Sequence, residues 1–251
     1  MSALLQALDL GPGVRAALST RLGGVSAAGY ASLNLGDHVG DRPEAVAENR
    51  ARVAAALGRP VQYLKQVHGV QVAAVAYAGP APEADAAWTA QPGVALSVLV
   101  ADCLPVLLVA RRPDGQAVAV AAAHAGWRGL AGGVLEQSAA ALRAQAADAH
   151  LHAWLGPCIG PDAFEVGEDV LRGFGREPGA AGPGFRYQPR ADGSPRWRAD
   201  LHALARQRLA LLGVEVLGAE PSCTVSAPSR FFSFRRDGAG SGRFGAFIGL
   251  S

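Results

Sequence analysis

Three uninterrupted apolar runs occupy the middle of the chain, residues 94–100, 105–110 and 116–123, separated by the breaks Asp102-Cys103 and Pro113-Asp114-Gly115. Runs of strand length with no polar alternation fit strands covered on both faces. Residues 14–18, 70–77, 151–155, 214–217, 231–234 and 243–250 read as further strands. Helical spacing takes over at Val46, Val53 and Leu57, after Asp41-Arg42-Pro43-Glu44, which predicts a helix capped by Asp41 and stopped by Gly58 and Pro60. A second helix opens after His124 to Gly129 and carries Leu130, Val134, Leu135 and Leu142. A short one follows Phe164-Glu165-Val166-Gly167, and residues 201–212 form another, capped by Asp200 and ended by Gly213. Residues 173–197 hold Gly, Pro and Arg without periodicity and read as a mobile surface loop or lid.

Composition narrows this picture. Half of the 251 residues are apolar, enough for a substantial core, and a single domain over 1–251 is expected. The net charge is +2, carried almost wholly by arginine, with Lys65 the only lysine. That balance argues against nucleic acid or a membrane surface as partner, although arginines gathered at one pocket could hold an anion. Residues 1–10 lack a basic, apolar leader, and no apolar run approaches the roughly 20 residues of a membrane helix, so a cytoplasmic protein is expected. Cys103, Cys158 and Cys223 are odd in number and lack short paired spacing, so they read as thiols rather than a disulfide framework.

The candidate chemistry gathers at two breaks and one turn. Ala101-Asp102-Cys103-Leu104-Pro105 and Ala123-His124-Ala125-Gly126-Trp127-Arg128-Gly129 each set a reactive side chain among small or rigid residues, and Leu64-Lys65-Gln66-Val67-His68-Gly69 adds a second histidine. One thiolate and two imidazoles are one ligand short of a closed tetrahedral zinc site, the arrangement of an open catalytic one. The helix start after His124 also favours an anion. Such a zinc lowers the pKa of water towards about 7, which suits attack on an electron-poor ring carbon. A cysteine beside a histidine is equally a nucleophile pair, so a hydrolase or deamidase using Cys103 and His124 is the second reading. Arg21, beside Gly23-Gly24, is the first candidate for holding an anion, with Arg128, Arg235 and Arg236 behind it. Asn34 is a candidate to face a ligand or to serve as a plain turn, and His38 lies near enough to join a pocket. Asp102 reads as an Asx-type turn holding Cys103. Glu165 is an acid or base only if its flanks bury it. A copper oxidase is the third reading, weakened because six histidines are few for a multicopper enzyme.

Taken in order, Thr20-Arg21-Leu22-Gly23-Gly24-Val25-Ser26, Ser32-Leu33-Asn34-Leu35-Gly36, Lys65 to Gly69, Ala101 to Pro105 and His124 to Gly129 resemble the laccase-domain family. Gly156-Pro157-Cys158-Ile159-Gly160, Phe164 to Gly167, Cys223-Thr224, Phe232 to Arg236 and Gly242-Arg243 extend the likeness over about residues 20–250. The resemblance implies an α+β fold of paired mixed β-sheets with helices packed outside, related to a toxin domain that is a cysteine and histidine hydrolase. It implies metal ligands His68, Cys103 and His124, with zinc as the metal and copper as the alternative. It further implies phosphorolysis of adenosine, inosine, guanosine and S-methyl-5'-thioadenosine, and deamination of adenosine, at that site, which makes Cys103 and His124 catalytic; by their own chemistry Arg21 and Arg128 are then candidates for phosphate and Asn34 for the base or ribose. The partners expected are nucleosides and phosphate, with the chain a monomer. Some relatives are linked to peptidoglycan precursors, and a low polyphenol oxidase activity belongs to the family's early naming. Residues 185–197 match none of the family's motifs.

Overall fold

The apolar runs become the middle of the molecule. A computed structural model describes residues 4–251; the expectations for the leader and for the first positions of the domain reach residues 1–3, outside the described residues. In chain order the strands are β1 (Leu5–Leu8), β2 (Val14–Ser19), β3 (Val61–Gln62), β4 (Val72–Ala74), β5 (Ala86–Thr89), β6 (Ala95–Val100) and β7 (Leu104–Arg111). They continue as β8 (Ala117–Ala125), β9 (His150–Leu155), β10 (Glu165–Val166), β11 (Phe185–Tyr187), β12 (Trp197–Ala199), β13 (Glu215–Ala219) and β14 (Phe244–Leu250). The helices are α1 (Pro43–Leu57), α2 (Trp127–Gly132), α3 (Val134–Arg143), α4 (Glu168–Gly173), α5 (Leu201–Leu211) and α6 (Phe234–Asp237).

Two mixed sheets form the centre, ordered β1-β2-β14-β6-β3 and β13-β9-β7-β8-β5-β4. Pairing is antiparallel except for β3 with β6, β4 with β5 and β9 with β13. The class is α+β, as the resemblance implied. Every residue of β6 and β7 is buried, and alternation along β7 shows why neither parity is polar. Leu107 and Val109 join Leu96, Val98, Phe244 and Ile248 between the sheets. Leu104, Val106 and Leu108 face the other way, onto Leu130 of α2, Val134, Leu135 and Leu142 of α3, and Leu204 and Leu209 of α5. Each fully buried Leu or Val contributes roughly 1.5–3 kcal/mol, so both faces of this strand are held. On the outer face of the first sheet, Val53 of α1 packs with Leu33, Leu35, Leu99 and Phe247. No helix among the described residues is long and apolar enough to cross a membrane.

Several elements differ from their sequence reading. No side chain caps α1; Pro43 opens it and Gly58 at φ 68° closes it. Asp41 is instead engaged by the Ser26 hydroxyl at 2.6 Å and the Asn34 amide at 2.9 Å. Residues 231–234 are not a strand: Phe231 and Phe232 are buried in the core, and Ser233 caps α6 through Arg236 N–H. Buried aromatics imitate a strand when only composition is read. Within 173–197, Phe185–Tyr187 pairs with β12, which pairs in turn with β10, so the loop contains part of a small sheet. The helix after His124 is two helices, parted at Gly133 with φ 103°. His124 lies inside β8 rather than beyond it, opposite Pro105 in the ladder with β7. That register sets the end of β8 beside the start of β7, where Cys103 stands.

Candidate metal centre

Three separate segments deliver the candidate ligands, and each is held by a buried or long-range contact. Ala86 pairs with Ala123, which sets Asp85 beside His124 and lets His124 N–H donate to the Asp85 carbonyl at 2.7 Å. The Asp85 carboxylate is fully buried. It accepts the N–H groups of Val67, His68 and Gly69 at 3.2, 2.9 and 2.6 Å, and His124 Nδ1 lies 2.8 Å away. Burial opposes its ionisation, but these hydrogen bonds hold its pKa below the ordinary carboxylate value. An ionised carboxylate only accepts, so His124 donates from Nδ1 and turns Nε2 to the Cys103 side. His68 is a non-glycine residue at φ 63°, a conformation that the three N–H bonds to Asp85 keep in place. The Gln66 amide bonds Leu99 in both directions at 2.8 Å and ties the same loop to the edge of β6.

Cys103 follows Asp102, which stands at φ 98°. Asp102 accepts the Thr224 hydroxyl and Arg235 N–H, each at 2.6 Å, while its carbonyl accepts Ile159 N–H at 2.9 Å. The expected local Asx turn is thus a clamp made by distant parts of the chain.

His68, Cys103 and His124 present ligand atoms that all lie within 4.8 Å of one another, with Cys103 Sγ 3.8 Å from His68 Nε2. Ligands at 2.0–2.3 Å from one tetrahedral ion stand about 3.5 Å apart, so a small contraction completes the set. Gly126 keeps that space free, since a Cβ there would lie 2.9 Å from Cys103 Sγ and 3.1 Å from His68 Cδ2. The donor set and the open space fit a metal ion. Without one, burial resists ionisation of Cys103, but the His124 charge and hydrogen bonds from both histidines outweigh it and bring the thiol down to about 6. His124 moves the other way: burial would lower it, yet Cys103 and Asp85 raise it to about 9.

The group opens onto a cavity of about 360 Å³. Trp127, Phe164 and Phe234 give it aromatic walls, and Arg128, Arg235 and Arg243 give it positive charge. Arg128 lies over the Trp127 ring at 4.4 Å, and Arg235 over Phe164 at 5.5 Å. His38 also lines it. Arg21 and Asn34 do not. Arg21 donates to the carbonyls of Ala31 and Pro228 and covers the Phe232 ring. Asn34 is fully buried, bonding Gly36 and Asp41 and accepting Arg243 N–H at 2.8 Å. It therefore acts on the cavity through Arg243. Arg236 spends its guanidinium on the carbonyls of Thr224, Val225 and Phe231 and on Asp237. Glu165 is drawn to Arg190, whose hydrogen bond lowers its pKa, so it is no proton donor at neutral pH. Asp85, Arg243 and the aromatic walls Trp127, Phe164 and Phe234 were passed over by sequence reasoning as site candidates. The signal for Asp85 was an acid isolated between Ala84 and Ala86; that for Arg243 was its adjacency to Gly242 in a matched motif.

The family model described as multi-copper polyphenol oxidoreductase laccase matches residues 15–251. A purine nucleoside phosphorylase of Pseudomonas aeruginosa is 46% identical over 239 residues, covering 94% of this chain and 93% of the relative. The purine nucleoside phosphorylase YfiH of Escherichia coli is 44% identical over 243 residues, covering 95% of this chain and 94% of its own. A Neisseria meningitidis protein of known crystal structure superposes with a TM-score of 0.86 at 45% identity, covering 99% of each chain. With a family model matching nearly its whole length and relatives this similar along it, the chain belongs to the multi-copper polyphenol oxidoreductase laccase family, some of whose members are named purine nucleoside phosphorylases.

Proposed function

We propose that the chain is a zinc-dependent purine nucleoside phosphorylase acting on adenosine, inosine, guanosine and S-methyl-5'-thioadenosine, with adenosine deaminase activity at the same site. The observation that carries this reading is the opening of the His68, Cys103 and His124 group onto a cavity with aromatic walls and three guanidinium groups. The volume lies in the range of small-molecule sites. Zinc held by these residues would supply a Lewis acid with one free position. Asp85 fixes the His124 ring, and the depressed Cys103 pKa keeps its sulfur available as a thiolate. Arg128, with Arg235 and Arg243, takes the phosphate in place of Arg21, because planar guanidiniums bind it by paired hydrogen bonds. Trp127 and Phe234 flank the purine. In phosphorolysis a phosphate oxygen bonds ribose C1′ as the bond to purine N9 breaks, and the base leaves with a proton.

Copper is the alternative occupant, since imidazole and thiolate suit it as well. The second reading, a Cys103 and His124 hydrolase, including one acting on peptidoglycan precursors, draws on the coupled shifts of that pair. One experiment separates them: zinc and copper per chain, inosine turnover with and without phosphate, and iodoacetamide labelling of Cys103, in wild type and His68→Ala. The proposal expects hypoxanthine and ribose 1-phosphate only with phosphate, and metal and turnover falling together in His68→Ala. Full activity in metal-free protein would sink it in favour of the hydrolase; free ribose formed equally without phosphate would make the enzyme a nucleosidase.

A further inference from the structure

The loop that leaves β9 and the loop that follows β13 meet beside the metal centre, and each brings a cysteine. Cys158 and Cys223 oppose one another in a parallel β-bridge, and Thr224 N–H donates to the Cys158 carbonyl at 2.9 Å. Bridged segments about 4.8 Å apart put the two Cα atoms within the span of about 4.4–6.8 Å that a disulfide can join. The side chain of Cys223 lies over the other segment: a Cβ built at Gly160, two residues beyond Cys158, would stand 3.0 Å from Cys223 Cβ and 3.3 Å from its Sγ. Glycine at 160 is what leaves room for this sulfur. Both cysteines are free.

Their settings differ in the way a reactive pair requires. Cys158 is buried and its thiol donates to the Ile159 carbonyl at 3.5 Å. Cys223 is partly exposed, and its Sγ accepts Gly160 N–H at 3.1 Å. Burial raises the Cys223 pKa, but Gly160, Ser226 and Val225 N–H groups and the Ser226 hydroxyl bring it below the ordinary thiol value. Burial pushes Cys158 well above that value. An accessible sulfur cradled by N–H donors thus lies beside a protonated, shielded thiol.

We propose that Cys223 is a peroxide-reactive cysteine resolved by Cys158, forming a reversible dithiol–disulfide site distinct from the metal ligands. The Cys223 thiolate attacks one oxygen of hydrogen peroxide, the O–O bond breaks, and a sulfenic acid and hydroxide form. The Cys158 sulfur then attacks Cys223 Sγ, the S–O bond breaks, and the departing hydroxide leaves as water with the Cys158 proton. In sum, two thiols and one peroxide give a disulfide and two waters, the thiols being oxidised and the peroxide reduced. The site is also coupled to the cavity: Thr224 and Ile159, each next in sequence to one of the cysteines, are two of the groups that anchor Asp102, ahead of Cys103. Oxidation therefore disturbs the turn that carries a metal ligand.

The test treats the purified, metal-loaded protein with a few equivalents of hydrogen peroxide, blocks free thiols, and maps the non-reduced digest by mass spectrometry. A linked peptide pair holding Cys158 and Cys223, lighter by two hydrogens and released by dithiothreitol, is expected. Cys158→Ala should stop at a Cys223 sulfenic acid that dimedone captures, and Cys223→Ser should leave Cys158 reduced. Equal alkylation of Cys223 before and after peroxide, or its linkage to Cys103, would overturn the assignment. Turnover in wild type should fall in proportion to the disulfide and return with reductant; a disulfide with no loss, or the same loss in Cys223→Ser, would remove the coupling.

Discussion

The Asp85 carboxylate makes four hydrogen bonds to the segments that carry His68 and His124. Asp85→Asn keeps its shape but replaces one acceptor oxygen by a donor, so it opposes both the loop N–H groups and the His124 tautomer. Metal affinity is expected to fall about 10–100-fold, the usual effect of losing such a partner, with the far-ultraviolet circular dichroism unchanged. Equal zinc dissociation constants in competition with a chelator would remove Asp85 from the site. At the opposite end of the sheet, His152 stands 3.4 Å from Glu215. Burial lowers its pKa; Glu215 opposes this, and Arg111 and His150 add to it. The unfolded chain therefore takes up the proton first as pH falls. Folded stability tied to His152 is intact above the unfolded value, about 6.5, and is lost below it. His152→Gln should flatten the decline of melting temperature between about pH 7 and pH 5, and parallel curves for the two proteins would contradict this. The three candidate ligands drew attention in the sequence because cysteine and histidine stand out at chain breaks, and the fold brings their ligand atoms within 4.8 Å of one another. Asp85 did not stand out, because its partners reach it only through strand pairing, and the glycine-rich neighbourhood of Arg21 does not tell a ligand site from a turn, where its guanidinium bonds the Ala31 and Pro228 carbonyls.

Among the elements, α5 was fully legible: Asp200 accepts Ala203 N–H at 3.0 Å, and Gly213 follows the helix at φ 64°. Removing the cap by Asp200→Ala should cost about 1 kcal/mol, measured by urea denaturation, while Asp200→Asn should cost less. An equal loss in both variants would place the contribution in charge rather than in the hydrogen bond. The long central strands were legible for the same reason, since their apolar runs have no other use. The segment after α4 was not, because a three-residue strand carries too little pattern to register. Beyond β11 and β12 the stretch 188–196 closes as a mostly exposed hairpin end, Gln188 N–H donating to the Arg196 carbonyl at 2.8 Å and Arg190 N–H to the Ser194 carbonyl at 3.0 Å, with Arg190 and Arg196 reaching Glu165. Trypsin is expected to cut there first, after Arg190 or Arg196, and more slowly with nucleoside bound if this stretch closes on the cavity. First cuts within α1 or α3 would refute that ranking.

At the scale of the whole molecule, the resemblance supplied the paired-sheet architecture, while periodicity supplied the strands without their order. Sheet order follows from which strands share a buried face, and that is settled by contacts far apart in sequence. The last strand shows this most sharply. β14 lies between β2 and β6, and Leu18 pairs with Ala246, more than two hundred positions away. Removing residues 244–251 should therefore leave protein without a cooperative thermal transition, and a truncated form melting like the wild type would contradict the arrangement. The same placement governs how the molecule assembles. Until β14 arrives, β2 and β6 each present an unpaired edge, and the closing step carries the entropic penalty of a very long loop. Refolding is expected to be slow, rate-limited by that closure and increasingly diverted to aggregates as protein concentration rises.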